Sequence, residues 1–163
     1  MNLPLIFIVG PTGIGKSFLA IKIAKILNGE IINADSMQVY SDLSILTSRP
    51  TADDIKIIPH HLYGYINGSL RYNVANWCND IKKIIEKNNE QKKRSIIVGG
   101  TGMYVDRLLN GLTMMPSISE NIKKESENLL NKIGIEEFYN EVLQLDEKAA
   151  KKIIKKDSMR LRR

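Results

Sequence analysis

The sequence contains a single cysteine, Cys78, among 163 residues, so no disulfide bond can form within the chain. It also lacks a long hydrophobic run. The apolar stretch near the N-terminus is interrupted at Gly10, so neither a signal peptide nor a membrane span is predicted. No internal repeat or low-complexity tract stands out. These absences predict a cytoplasmic protein that works in a reducing compartment without a membrane partner.

The chain does have the length and apolar content of one domain with a buried core, with 43% hydrophobic residues. Its net charge of +6 is unevenly distributed, because residues 148–163 carry +7 and the rest sums to −1. A basic end of this kind is typical of a solvated helix face or of a polyanion-binding surface. The chain also stops on Leu161, Arg162 and Arg163 without a helix-ending residue, as expected of an interrupted protein.

The most specific motif is GPTGIGKS at residues 10–17, which matches G-x-x-x-x-G-K-[ST] at every position. Residues 5–9 predict a buried strand and residues 18–27 a helix, so the loop would offer backbone N–H groups and a helix dipole to an anion. Lys16 would add a positive charge, and Ser17 a hydroxyl suited to Mg²⁺. The motif predicts a phosphate or diphosphate site formed by Gly10, Pro11, Thr12, Gly13, Ile14, Gly15, Lys16 and Ser17.

Two further strand patterns are predicted to end beside this loop. Residues 30–34 are followed at once by Asp35, and residues 95–98 by two glycines and Thr101. Ligands of parallel sheets bind at the carboxyl ends of the strands, so both side chains are expected near the loop. Asp35 either serves a ligand or caps a turn, and Thr101 either contacts a substrate or caps a helix. An ATPase would instead carry an aspartate after the second of these strands.

The segment between the strands has fewer signals. Residues 41–59 are mixed and polar, which predicts a mobile connection. His60 and His61 follow on an extended segment without a cysteine or acidic partner at ligand spacing, so they are predicted to be structural or substrate-lining rather than zinc ligands. A helix is predicted from its N-cap Asn73, with Trp77 and Cys78 on the buried stripe.

Beyond Gly111 the strand patterns give way to three helical stretches. Ser117 and Glu120 have the spacing of a capping box before the first stretch, and Gly134 is predicted to end it. Asp146 is predicted to cap the third stretch, which continues through Ile154 into the basic end.

These segments predict an α/β fold, a P-loop NTPase-like parallel sheet flanked by helices. The sheet and its helices would occupy residues 1–111. Residues 112–163 would form a C-terminal helical insertion segment.

Five sequence blocks, in this order, resemble the tRNA dimethylallyltransferase (isopentenyltransferase) family. They are GPTGIGKS (10–17), DSMQVY (35–40), PHHL (59–62), VGGTGMY (98–104) and LDEKAAKKIIKKDSMRLRR (145–163). The first occurs in many phosphate-binding proteins, whereas DSMQVY and GGTGMY in sequence with it are typical of this family. The resemblance accounts for the missing ATPase aspartate and for the basic end. Family members continue past the end of this chain and supply further arginines near the diphosphate.

The resemblance implies transfer of a dimethylallyl group from dimethylallyl diphosphate to N6 of the adenosine 3′ to the anticodon. It implies that the loop holds the diphosphate, that Ser17 helps to place Mg²⁺, and that Asp35 and Thr101 are catalytic, with Asp35 as the general base. The implied partner is the tRNA anticodon stem-loop, and residues 112–163 would be a tRNA-binding insert. The implied tRNA contacts are Asp35, Ser36, Met37, Gln38, Thr101, Lys123, Asp157, Ser158, Met159, Arg160 and Leu161.

Apart from the family resemblance, the residues also fit two other functions. A small-molecule kinase would use the same loop for ATP and a carboxylate after the second strand to orient its acceptor hydroxyl. A non-catalytic tRNA-binding fragment would account for the basic end alone. Label from an allylic diphosphate, label from ATP, or binding without transfer would separate the three.

Overall fold

A computed structural model of the chain describes residues 3–112 and 118–162. These residues form two compact units, one on each side of the undescribed residues 113–117. The first unit is an α/β sheet with flanking helices, and the described part of the second is helical. The predicted fold class is therefore confirmed.

The first unit is organised around a parallel sheet with the strand order β1-β4-β2-β3. The strands are β1 (Ile6–Val9), β2 (Gly29–Asn33), β3 (His60–His61) and β4 (Arg94–Gly99). The central strands β2 and β4 are buried along nearly their whole length, as continuous apolar runs in parallel sheets are when helices cover both faces. All four carboxyl ends open to one edge because the strands are parallel.

Helices cover both faces of this sheet. They are α1 (Lys16–Leu27), α3 (Val74–Glu90) and α4 (Gly102–Asn110). Helix α2 (Ala52–Ile57) precedes β3 and has no buried residue. Successive residues of a strand point to opposite faces. Ile31 and Ile96 therefore pack in a cluster with α1, whereas Ile32 and Ile97 pack in a second cluster with α3 and α4.

Helix α3 begins as the sequence predicts. The Asn73 side chain accepts a hydrogen bond from the backbone N–H of Asn76 at 3.0 Å, which caps the first turn. Trp77 and Cys78 are buried in the sheet-facing cluster, so both are core residues as predicted. Burial raises the pKa of the Cys78 thiol, which makes it a poor nucleophile.

The prediction of a mobile connection over residues 41–59 is wrong for much of that segment. A single 3₁₀ turn spans Ser41–Leu43, and α2 follows. Helix α2 is fixed by a capping box, in which Thr51 Oγ1 accepts from Asp54 N at 3.2 Å and Asp54 Oδ2 accepts from Thr51 N at 2.9 Å. The signal was present in the sequence as Thr-x-x-Asp, and it supplies local order that polar composition hides.

The second unit contains α5 (Glu120–Leu145), α6 (Glu147–Ala150) and α7 (Ser158–Leu161). Gly134 has φ 79° and divides α5 into two helices, as predicted. The hydroxyl of Ser119 caps α5 by accepting from Ile122 N at 3.4 Å, and the predicted capping residue Ser117 lies outside the described residues. No helix in the described ranges is both long and apolar enough to cross a bilayer.

The predicted helix through Ile154 is wrong, because α6 ends at Ala150 and turns follow. Ala150 and Leu161 are both buried in one cluster with Phe138 and Tyr139. A straight helix would carry Leu161 about 16 Å from Ala150, so the chain has to turn back to bury both.

Candidate active site

A cleft of about 430 Å³ opens at the carboxyl edge of the sheet in the first unit. Its lining combines residues of the phosphate loop with residues that follow β2 and β4. From these segments it includes Thr12, Gly13, Gly15, Lys16, Ser17, Asp35, Met37, Gln38, Gly99 and Gly100. The structure thus brings the predicted phosphate loop and Asp35 to one cavity.

The phosphate loop connects β1 directly to α1. Gly13 and Gly15 both have φ 85°, a left-handed conformation in which a residue with a side chain would be strained. Gly15 is also the N-cap of α1. Helix α1 begins at Lys16, so the positive end of its dipole faces the cleft. Lys16 Nζ donates to the Pro11 carbonyl at 2.6 Å, which holds the lysine charge on the loop. This arrangement suits a phosphate or diphosphate group.

Asp35 caps a turn and also faces the cleft, so the two readings of this residue are compatible. Its Oδ1 accepts from the backbone N–H of Met37 at 2.9 Å. A Cβ added at Gly100 would lie 3.4 Å from the Gly10 carbonyl oxygen and 3.9 Å from Asp35 Oδ2. The second carboxylate oxygen and the Gly10 carbonyl, at the start of the phosphate loop, therefore both lie beside Gly100.

Thr101 stands at the N-cap of α4, but its side chain makes no capping hydrogen bond. Its Oγ1 instead accepts from the backbone N–H of Ser36 at 3.1 Å and lies 3.5 Å from Ser36 Oγ. These contacts join the segments that follow β2 and β4. Neither Ser36 nor Thr101 is among the described residues that line the cleft, and both are half-buried.

Gly99 allows the close approach of those two segments. A Cβ at this position would lie 2.3 Å from both the carbonyl carbon and the carbonyl oxygen of Ala34, well inside contact distance. Ala34 N donates to Val98 O at 2.7 Å, and Thr101 N donates to Ala34 O at 3.3 Å. Gly99, the last residue of β4, therefore lets the strand pack against Ala34, the residue before Asp35.

Sequence reasoning missed part of the cleft wall, namely Leu46, Thr47, Ser48 and Tyr63. Gln38 Nε2 donates to Thr47 O at 2.6 Å, which ties this loop to the segment after β2. Burial and the nearby charge of Asp35 raise the pKa of Tyr63. Tyr63 follows β3 at the edge where Asp35 follows β2, so the strand-end rule would have found it.

The two histidines have structural partners. His60 Nδ1 hydrogen-bonds with Ile58 O at 2.7 Å, and burial lowers its pKa. His61 Nε2 lies 2.6 Å from Glu30 Oε2, and Lys93 Nζ donates to Glu30 Oε1 at 2.5 Å. Burial alone would raise the pKa of Glu30, but the bonds from Lys93 and His61 hold it below its ordinary value. Among the described residues, no group of three or more His, Cys, Asp or Glu side chains could hold a metal ion.

The predicted tRNA contacts of the second unit differ in exposure. Lys123 is exposed and pairs with Glu120 at 2.5 Å, and Met159 is also exposed. Asp157 caps α7 by accepting from Arg160 N at 3.1 Å, and it pairs with the Arg160 side chain at 3.3 Å. Ser158 is half-buried in the first turn of α7. The Leu161 side chain lies in the core of the unit.

Lys148 of the basic end lies in α6, whereas the other four lysines lie on turns. Lys151 pairs with Glu147 at 2.6 Å, and Lys155 Nζ lies 5.2 Å from the centre of the Tyr139 ring. Lys152 and Lys156 are exposed. A solvated helix face was one of the two alternatives that the charge of this segment offered. Because α6 ends at Ala150, these four side chains do not form such a face.

The fold and the cleft define a P-loop NTPase-like α/β protein whose glycine-rich loop lies at the carboxyl edge of a parallel sheet. The family model described as "IPP transferase" matches residues 38–163. The chain therefore belongs to the IPP transferase family.

Individual relatives agree with this assignment. The curated tRNA dimethylallyltransferase of Bartonella quintana is 44% identical over 94% of this chain and 52% of its own length. That of Pelagibacter ubique is also 44% identical, over 96% of this chain and 50% of its own length. The chain thus spans about half the length of the curated relatives it matches.

Two solved structures of related enzymes are also similar to this chain. A eukaryotic dimethylallyltransferase acting on tRNA superposes with a TM-score of 0.82 at 31% identity, covering 97% of this chain and 39% of that one. The full-length tRNA isopentenylpyrophosphate transferase of Bacillus halodurans gives a TM-score of 0.66 at 33% identity, covering 97% of this chain and 52% of that one.

Proposed function

We propose that the chain is part of an enzyme that transfers the dimethylallyl group of dimethylallyl diphosphate to N6 of the adenosine 3′ to a tRNA anticodon. The observation that carries the proposal is the shared cleft, which is lined by both the phosphate loop and Asp35 and in which Gly100 lies close to each of them. Relatives named tRNA dimethylallyltransferase support it. The single cysteine and the tRNA substrate together favour a cytoplasmic location.

The loop serves the leaving group. Diphosphate departs readily once the negative charge that grows on its bridging oxygen is neutralised, and the loop backbone, the α1 dipole and Lys16 would supply that neutralisation. Ser17 lines the same cleft, and Mg²⁺ commonly takes a protein oxygen together with substrate phosphates, so the donor set fits this ion. Mg²⁺ held by Ser17 would supply further charge neutralisation.

Asp35 serves the nucleophile. The exocyclic nitrogen of adenine is weakly nucleophilic, so a carboxylate within hydrogen-bond reach assists by accepting its proton. The N6–C1 bond forms, the C1–O bond to diphosphate breaks, and the proton passes to Asp35. Oδ2 is the suitable oxygen, because Oδ1 already accepts from Met37 N.

The tRNA has to present an unstacked adenosine to this cleft, which costs a few kcal/mol. Met37 and Gln38 line the cleft and would seat the base, while Ser36 and Thr101, which are hydrogen-bonded to each other, would contact the tRNA. Lys123 and residues 157–161 of the second unit would contact the RNA, with Leu161 limited to its backbone because its side chain is buried. Phosphate contacts of this kind offset the cost of unstacking.

The test is a donor competition on the whole chain. An unmodified anticodon stem-loop is incubated with dimethylallyl diphosphate labelled in the allyl group and, separately, with ATP labelled in the γ-phosphate. Allyl label in the RNA is the expected result. Transfer of the γ-phosphate to an acceptor would instead make the chain a kinase, and RNA binding without label from either donor would make it a non-catalytic tRNA-binding fragment.

A further inference from the structure

Asn33, the last residue of β2, is completely buried, and both polar atoms of its side-chain amide have hydrogen-bond partners. Its Oδ1 accepts from the backbone N–H of Asp35 at 2.8 Å. Its Nδ2 donates to the carbonyl oxygens of Asp35 at 2.9 Å and of Leu62 at 3.0 Å. One side chain thus holds both the backbone N–H and the backbone C=O of Asp35 and ties them to the segment after β3.

The backbone of Asn33 is held just as firmly. Trp77 Nε1 donates to the Asn33 carbonyl oxygen at 2.8 Å, and the indole is itself buried and stacked 4.7 Å from the Tyr104 ring. Asn33 is therefore fixed to α3 as well as to the sheet. Because two elements hold Asn33, its backbone is expected to move little, and it gives the Asp35 backbone a fixed support.

Asp35 depends on this support because it lies beyond the backbone ladder. Ala34 still pairs with Val98 and Thr101, whereas the N–H of Asp35 finds its acceptor in the Asn33 side chain. We propose that Asn33 is a positioning residue, which sets the Asp35 backbone so that the carboxylate faces the phosphate loop. The catalytic half of this inference rests on the proposed function; the structural half does not.

The choice of amide follows from its chemistry. Only a side chain with both an acceptor and two donors can satisfy the Asp35 N–H and two carbonyls at once. Leucine has a similar shape but leaves all three buried groups unpaired. Serine retains an acceptor for an N–H two residues ahead and loses the donors, so it should rescue part of the arrangement.

The experiment compares Asn33→Leu and Asn33→Ser with Asn88→Leu in the whole chain. Asn88 is an equally buried amide in α3 whose Nδ2 donates to Ser95 Oγ at 3.0 Å, outside the described lining of the cleft. The two readouts are hydrogen exchange at the Asp35 amide and steady-state prenyl transfer. The control replaces a buried amide by leucine without touching Asp35, so it reports what such a change in the core does by itself.

We expect Asn33→Leu to lower kcat about 10²-fold, as a small misplacement of a catalytic group does, while the KM for the diphosphate donor changes less than about threefold. Exchange at the Asp35 amide should become at least about tenfold faster. Asn33→Ser should fall between wild type and Asn33→Leu in both readouts. Asn88→Leu should leave both kcat and Asp35 exchange unchanged.

Unchanged exchange at Asp35 in both Asn33 variants would overturn the inference. So would an equal loss of kcat in Asn88→Leu, because the effect would then follow stability. If Asn33→Leu does not fold, the milder Asn33→Ser decides by the same two readouts. If wild type transfers no prenyl group, the proposed function fails, and the exchange data alone decide whether Asn33 positions Asp35.

Discussion

At the scale of single residues, the two oxygens of Asp35 have separate tasks. Oδ1 is occupied by the Met37 amide, and only Oδ2 is placed toward the loop. In Asp35→Asn the amide oxygen can keep the Met37 bond, but the side chain can no longer take a proton. We expect turnover to fall about 10²- to 10⁴-fold while diphosphate affinity is retained. Label transfer and calorimetric titration with Mg²⁺-diphosphate measure the two quantities.

Asp53→Asn is the matched control for this variant. Asp53 is an exposed carboxylate of α2 that pairs with Lys56, so the same charge is removed outside the described cleft lining. Equal turnover in wild type and Asp35→Asn would remove Asp35 from the mechanism.

Lys16 should matter for binding more than for folding. Its ammonium group is already held on the loop by the Pro11 carbonyl, and a charge-assisted hydrogen bond contributes about 1.5–3 kcal/mol. Lys16→Ala should therefore weaken diphosphate binding by about 10- to 100-fold in a calorimetric titration. Lys22→Ala is the control, because Lys22 lies over the Phe18 ring of the same helix, 4.3 Å from its centre. An equal effect in the control would mean that general charge, not the loop, attracts the anion.

The role of a single residue could be predicted from the sequence only where its partners are close to it along the chain. The phosphate loop is a contiguous motif, and Asp35 follows a recognisable strand, so both were predictable. Asn33 makes its contacts with Leu62 and Trp77, 29 and 44 residues away, and Thr101 meets Ser36 across 65 residues. No local pattern encodes such contacts.

At the scale of elements, the meeting of β2 and β4 depends on Gly99. A methyl group there would lie 2.3 Å from the Ala34 carbonyl, so Gly99→Ala has to push the two segments apart. We expect the free energy of unfolding in urea to fall by at least about 1–3 kcal/mol, as overpacked cores do. Gly102→Ala is the control. Gly102 is the first residue of α4, and a Cβ at this position would meet nothing within 4 Å. The Gly102→Ala change should therefore leave the free energy of unfolding unchanged or raise it by up to about 1 kcal/mol. Equal stability of the two variants would contradict the steric account.

Glu30 links β2 to β3 through His61 and to Lys93, the residue before β4. Its pKa in the folded chain is lower than in the unfolded chain, so the unfolded state takes up the proton first as the pH falls. The stabilisation is therefore complete above the ordinary pKa of 4.5 and is lost below it. Urea unfolding from pH 7 to pH 3 should show Glu30→Gln less stable than wild type at neutral pH, with the difference shrinking in acid.

Glu86→Gln is the control for that series, because Glu86 is an exposed carboxylate of α3. Its difference from wild type should stay small and flat with pH. A constant gap between wild type and Glu30→Gln would assign the loss to packing and not to charge.

The elements were predictable where one signal dominated their sequence. The helical period from Asn73 and the buried runs of β2 and β4 were clear, whereas α2 depends on a Thr51–Asp54 capping box inside a polar segment. The end of α6 could not be foreseen, because it is set by tertiary burial of Ala150 and Leu161 in one cluster and not by a local breaker.

At the scale of the whole molecule, the charge distribution should set the affinity for RNA. The +7 of residues 148–163 lies in the helical unit, whereas the phosphate loop and Asp35 lie in the sheet unit. Family blocks in the sequence identified both parts, but the display of the lysines on turns required the structure.

The four lysines of the turn after α6 provide the test. Changing Lys151, Lys152, Lys155 and Lys156 to Ala should weaken binding of the anticodon stem-loop and reduce the slope of log K against log salt by up to about 3–4, because each lost phosphate contact removes about 0.9. The control changes four exposed lysines of the first unit, Lys82, Lys83, Lys87 and Lys92, and makes the same change in net charge. If the basic end binds RNA, only the first variant flattens the slope. If both variants change it equally, net charge alone attracts the RNA, and an unchanged slope in the first variant would leave its lysines as solvated surface.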